Sequence, residues 1–143
     1  MAAKCNSILV VDDNESDRML AQFAIEDADI TEKIFFSHNG EDAIDFMKKY
    51  DIYKQKEGDS YPPNVVLLDI NMPKMNGFEF LEEYENLVSD GRYQSIIVLM
   101  LTSSHSEDDK RLAAKYSSVK GFITKPITEE TVMKIIEDLP IPE

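Results

Sequence analysis

Three carboxylates, a hydroxyl and an ammonium each stand where a short apolar run gives out. Asp12 and Asp13 close ILVV, Asp69 closes VVLL, Thr102 closes IIVLML, and Lys125 follows GFIT. Aspartates brought together repel one another unless a cation lies among them. Oxygen donors without His or Cys select a hard ion such as Mg2+ or Mn2+. Such an ion binds phosphoryl oxygens readily, and an aspartate beside it can attack phosphorus to form an acyl phosphate. A phosphoryl group in transfer spreads its charge over three oxygens. One can go to the metal, one to a hydroxyl and one to an ammonium. Thr102 and Lys125 supply the last two.

Each residue alone has a plainer explanation. Asp12 and Asp13 suit the first turn of a helix starting near Asn14. Thr102 could bond to backbone at a strand end, and Lys125 could be solvated like most lysines. His38 and His105 read as surface residues, and neither suggests a transition-metal site. The combination, however, needs a fold that brings separate strand ends to one edge.

The chain supplies the elements for it. Apolar runs at 8–11, 34–36, 65–68, 96–101 and 121–123 are mostly continuous, as in strands covered on both faces. Segments of helical period lie between and after them. Leu20, Phe23, Ala24 and Ala28 form one expected face, and Ala43, Phe46, Met47 and Tyr50 a second. Phe80, Tyr84, Leu87 and Val88 form a third, and Val132, Ile135, Ile136 and Leu139 a last. The segment 106–116 is weakly amphipathic, anchored by Leu112, Ala113 and Tyr116. Asn39, Asn76 and Thr128 stand before acidic residues as helix caps. The pattern predicts a doubly wound α/β domain of five parallel strands and five helices. Functional groups then gather outside the carboxyl ends of the strands. The polar segment 53–64 reads as a loop insertion.

Composition narrows the partners. The 143 residues carry 28 acidic against 15 basic side chains, a net charge of −13. That balance disfavours nucleic acid and anionic membrane surfaces. One cysteine, Cys5, leaves no disulfide within the chain, which fits a reducing cytoplasm. There is no apolar stretch of membrane-spanning length, signal peptide, repeat or glycine-rich phosphate loop.

From about residue 7 to residue 139, the motifs ILVVDD, VVLLDINMPKMNG, VLMLTSS and GFITKP resemble the receiver domain of two-component response regulators. The resemblance implies a flavodoxin-like (βα)5 fold. It implies that Asp69 is the phosphoacceptor, and that Asp12, Asp13, Asp69 and the backbone carbonyl of Asn71 hold Mg2+. Thr102 and Lys125 would contact the phosphoryl group, Phe122 would be the aromatic partner of the Thr102 switch, and Lys125–Pro126 would be cis. Many relatives carry tyrosine where Phe122 stands. Asn71 and Ser104 would flank the path of water and tune the lifetime of the acyl phosphate. The phosphoryl donor would be a phosphohistidine of a sensor histidine kinase or of a histidine phosphotransfer protein.

The resemblance accounts for nearly all of the chain, so a single receiver domain without an output domain is expected. Such a receiver would act through a partner, pass the phosphoryl group on, or dimerise through its fourth helix, fifth strand and fifth helix. The long 53–64 connection is similar to that of receivers paired with bacteriophytochrome-type kinases. Two rivals remain: an adaptor of receiver fold that works without phosphorylation, and a haloacid-dehalogenase-type phosphohydrolase. The hydrolase would need a second aspartate two residues after the nucleophile, and that position is Asn71, which cannot exchange a proton.

Overall fold

Strands that are apolar at consecutive positions must be covered on both faces, and helices provide that cover here. The computed structural model describes residues 6–72, 75–88, 96–102 and 107–138. Its elements run β1 (Ile8–Val11), α1 (Glu15–Ala28), β2 (Ile34–Ser37), α2 (Gly40–Lys48), α3 (Tyr50–Glu57) and β3 (Val65–Asp69). They continue with α4 (Gly77–Val88), β4 (Ile97–Thr102), α5 (Glu107–Ala113), β5 (Val119–Thr124) and α6 (Glu129–Asp138). The five strands form one parallel sheet in the order β2-β1-β3-β4-β5. Every residue of β1, β3 and β4 is buried, whereas the edge strands β2 and β5 are partly open.

Alternating side chains divide the core between the two faces of the sheet. Leu9, Val11, Val66, Leu68, Val98 and Met100 pack with Ala43, Met47, Phe80 and Tyr84 of α2 and α4. Ile8, Val10, Val65, Leu67, Ile97 and Leu99 pack with Ala21, Ile25 and Ala28 of α1 and Val132 of α6.

Caps begin the helices where the sequence places them. Asn39 Oδ1 accepts from the Asp42 N–H at 2.8 Å, and Thr128 Oγ1 accepts from the Thr131 N–H at 3.2 Å. Asn76 and Glu79 bond reciprocally, each side-chain oxygen accepting the other's backbone N–H at 2.9 and 3.0 Å. This is a capping box that starts α4 directly after the β3 loop.

Three expectations are corrected. The inward face of α1 is Ala21, Ala24, Ile25 and Ala28, while Leu20 and Phe23 are 45% and 51% exposed. Both stripes have helical spacing, and the alanine-rich one lets the helix lie closer to the sheet. Leu112 of α5 is likewise exposed, and Ala113 is the buried anchor.

The third correction lies in 53–64. The helix expected through Tyr50 breaks at Lys49, and Tyr50 opens α3, making six helices among the described residues. A 3-10 turn at Gly58–Ser60 follows, with Gly58 at φ 63, a conformation glycine adopts without Cβ strain. Tyr61, expected in a polar loop, is fully buried. Its ring meets Phe46 edge-on at 5.1 Å and stacks on Tyr53 at 5.6 Å. Its hydroxyl lies 2.8 Å from Phe46 O and 3.1 Å from Met47 O, donating to the last turn of α2. The 53–64 segment therefore extends the core under β2.

Candidate functional site

The site follows from strand register. Val11 pairs with Leu68, Asp69 with Leu101, and Thr102 with Thr124. The residues closing β1, β3, β4 and β5 thus meet along one edge of the sheet. Asp12 is 1% exposed and Asp69 6% exposed, whereas Asp13 faces solvent. One carboxylate oxygen from each of Asp12, Asp13 and Asp69 lies within 4.8 Å of the others.

Lys125 of the segment after β5 reaches this cluster. Its Nζ is 2.8 Å from Asp12 Oδ2, 3.0 Å from Asp17 Oδ2 and 3.4 Å from Asp69 Oδ1. The Lys125 N–H donates to Thr102 O at 2.8 Å, so the two expected phosphoryl ligands are tied through backbone. The Lys125–Pro126 bond is cis, as expected. The Thr102 side chain is buried beside the cluster. Phe122 is half-buried, packed against the core on the α2–α4 face and paired in register with Met100.

Electrostatics separate Asp69 from ordinary surface acids. Burial pushes the Asp69 carboxyl up to about 6, and the neighbouring Asp12 charge adds to this. The Lys125 ammonium and the Asn71 N–H, 3.4 Å from Asp69 Oδ1, pull in the opposite direction. Burial alone would weaken the charged form of Lys125, but its contacts with Asp12, Asp17 and Asp69 outweigh that and raise it above its usual range. Its charged form is therefore favoured.

The donor set suits a hard divalent ion. Asp12 Oδ2 is sealed from solvent and no donor meets it with hydrogen-bond geometry, although Lys125 lies within ion-pair distance. Three oxygen ligands in reach of one another, with one still short of a partner, are what a Mg2+ site offers.

The start of α4 lies close against the end of β3. The Gly77 N–H donates to Ile70 O at 2.9 Å, and a Cβ on Gly77 would lie 2.7 Å from Asp69 O. The helix can start this close to Asp69 because residue 77 has no side chain. Ser104 of the lifetime pair lies outside the described residues. Asn71 is described and exposed beside Asp69.

The chain matches the response regulator receiver domain model over residues 8–137. It belongs to the receiver family. Among curated proteins, this receiver is 32% identical over 133 residues to "Probable methanogenesis regulatory protein FilR2" of Methanothrix harundinacea, covering 92% of this chain and 79% of the relative. It is 30% identical over 132 residues to the response regulator Rcp1 of Synechocystis, covering 92% and 84%. Among solved structures, the bacteriophytochrome response regulator AtBRR superposes with TM-score 0.75 at 33% identity, covering 93% of this chain and 91% of that one. Phosphoacceptor signalling is the function of this family, and its receivers bind Mg2+ at an acidic pocket.

Two site residues escaped the sequence reading. Asp17 is the second anion on Lys125, and Arg18 Nη1 donates to Asp12 O at 2.8 Å. The available signal was the Asn14 cap. Asn14 Oδ1 accepts from the Asp17 N–H at 2.9 Å, which places Asp17 and Arg18 in the first turn of α1, over the site. Among the described residues no helix is long and apolar enough to cross a membrane.

Proposed function

We propose that Asp69 is the phosphoacceptor of this receiver, charged by a phosphohistidine of a sensor histidine kinase or a histidine phosphotransfer protein. One observation carries this reading: a buried aspartate within 4.8 Å of two other carboxylates and 3.4 Å from a lysine that also contacts Asp12. In the transfer an Asp69 oxygen bonds to phosphorus, the P–N bond of the phosphohistidine breaks, and the imidazole leaves with the electron pair. Asp12, Asp13, Asp69 and the Asn71 carbonyl would hold Mg2+ or Mn2+, which when bound neutralises charge on the phosphoryl oxygens. Lys125 would take a second oxygen and the Thr102 hydroxyl a third.

The drawing of Thr102 toward the phosphoryl group would leave space into which the Phe122 ring turns. A change on β5 would then reach the face made by α5, β5 and α6, where a protein target or a second copy would bind. Asn71 and Ser104 would govern access of water and hence lifetime. The similarity to AtBRR favours a bacteriophytochrome-type kinase as donor, and such a partner implies work in the cytoplasm.

Incubation with Mg2+ and acetyl phosphate, followed by intact-mass analysis, tests the acceptor. A labile phosphoryl increment lost in Asp69→Asn is expected. An increment undiminished in Asp69→Asn would overturn the assignment. No labelling with intact partner binding would favour an adaptor, and rapid turnover of many phosphate esters would favour a hydrolase.

A further inference from the structure

The Lys125 ammonium has three N–H donors and three carboxylate neighbours, at 2.8 Å (Asp12), 3.0 Å (Asp17) and 3.4 Å (Asp69). Under the function proposed above, on which this inference rests, two of those neighbours have other engagements. Asp69 becomes an acyl phosphate, and its long contact with Lys125 gives way to one with a phosphoryl oxygen. Asp12 belongs to the carboxylate cluster suited to the metal. Asp17 stands outside that cluster. Its hold on the lysine is independent of both metal and phosphoryl group.

We propose that Asp17 is a positioning residue, the anchor that keeps the Lys125 ammonium beside Asp69 while metal and phosphoryl group engage Asp12 and Asp69. Asp17 is itself held in place. The Asn14 cap takes its backbone N–H, and the next residue, Arg18, donates to Asp12 O. One helical turn thereby sets both the loop after β1 and the head of a lysine 108 residues away. Leu20, Ala21, Leu101 and Ile127 flank Asp17 and Lys125, whose side chains are 34% and 17% exposed. A lysine side chain without an anchor is flexible at four bonds, and its ammonium would spend less time in line with the incoming oxygen.

The test compares the full chain with Asp17→Ala and Asp17→Asn. Asparagine keeps an oxygen that accepts from the ammonium but removes the charge. Alanine removes both. Labelling rates are measured with Mg2+ over a range of acetyl phosphate, and Mg2+ affinity is measured separately by calorimetry without donor. Asp17→Ala is expected to lower the rate at saturating donor about tenfold, a loss of alignment, with the half-saturating donor concentration and Mg2+ affinity little changed. Asp17→Asn is expected to recover most of the loss. In 15N-lysine protein holding Mg2+, the Lys125 ammonium resonance, identified by Lys125→Arg, should be sharp in wild type and broadened in Asp17→Ala.

A wild-type rate and a sharp resonance in Asp17→Ala would overturn the inference. So would Mg2+ affinity that falls with the rate, which marks a metal ligand or a collapsed site. Equal loss in both variants would mean that charge acts rather than anchoring. If wild type fails to label, or Asp69→Asn still labels, the acceptor assignment itself fails, whereas the resonance needs no donor and still reports on Asp17 and Lys125.

Discussion

The Lys125 ammonium lies 2.8 Å from Asp12 Oδ2, closer than its 3.4 Å approach to Asp69. The cation is thus placed at the site yet held by residues other than the proposed acceptor, Asp12 by ion pairing and Asp17 by a hydrogen bond. Its contact with Asp69 can be exchanged without releasing the lysine. Asp69 is left as a buried anion only partly compensated, and its energetics follow from that.

Removal of the Asp69 charge should stabilise the metal-free protein. The carboxyl titrates near 6 folded and near 3.8 in the ordinary case, so between those values the native state binds the extra proton. Stability contributed by this group therefore falls as pH rises from about 4 to 6 and stays low above. Asp69→Asn is expected to gain on the order of 1–2 kcal/mol at pH 7.5 in EDTA, read by urea denaturation. The gain should vanish near pH 4. A destabilised variant at pH 7.5 would contradict the uncompensated charge.

Labelling should depend on pH through the same group, because only the ionised carboxylate attacks phosphorus. At low Mg2+ the rate is expected to fall as pH drops below about 6. Higher Mg2+ competes with the proton and should move the midpoint lower. Rates between pH 5 and 8 at two Mg2+ concentrations check this, and a midpoint insensitive to Mg2+ would count against metal binding at Asp69.

Gly77→Ala should damage the site from outside it. The new Cβ would fall 2.7 Å from Asp69 O and 3.0 Å from the Ile70 Cα, backbone that cannot swing aside. A loss of about 1–3 kcal/mol is expected from overpacking, together with slower labelling. Wild-type melting and labelling would show that the loop yields.

Tyr61→Phe separates the fold from the site. The hydroxyl donates to the last-turn carbonyls of α2 in a buried setting, so its removal should cost about 1–2 kcal/mol. Labelling per folded molecule should be unchanged. Chemical denaturation and intact-mass analysis give the two readouts.

Asn71→Arg should alter how long the phosphoryl group survives without preventing its arrival. Asn71 is exposed, and its backbone N–H lies 3.4 Å from Asp69 Oδ1. Labelling followed by a chase in donor-free buffer measures the decay. Loss of Mg2+-dependent labelling would instead give the side chain a part in the transfer.

Much of the site was legible because its signals are local. An apolar run ending in Asp12, Asp69 or Thr102 marks a strand and its end, and doubly wound topology brings such ends together whatever the loops do. The caps at Asn39, Asn76 and Thr128 were legible for the same reason: a cap spans three residues.

Other features depended on what packs against what. Leu20 and Ala21 are neighbours on α1, and the sequence allows either stripe to face inward. The sheet selects the alanines, because they allow the closer approach, and leaves Leu20 and Phe23 outside. Tyr61 reads as a turn residue until Phe46, Tyr50 and Tyr53 enclose it. Asp17 reads as an ordinary first-turn acid until β5 brings Lys125 to within 3.0 Å of it. The amino-acid sequence by itself determined which strand ends carry chemistry, through patterns a few residues long. Only the tertiary structure decided which helix face is buried and which carboxylate anchors the lysine, because those outcomes rest on contacts between segments far apart in the chain.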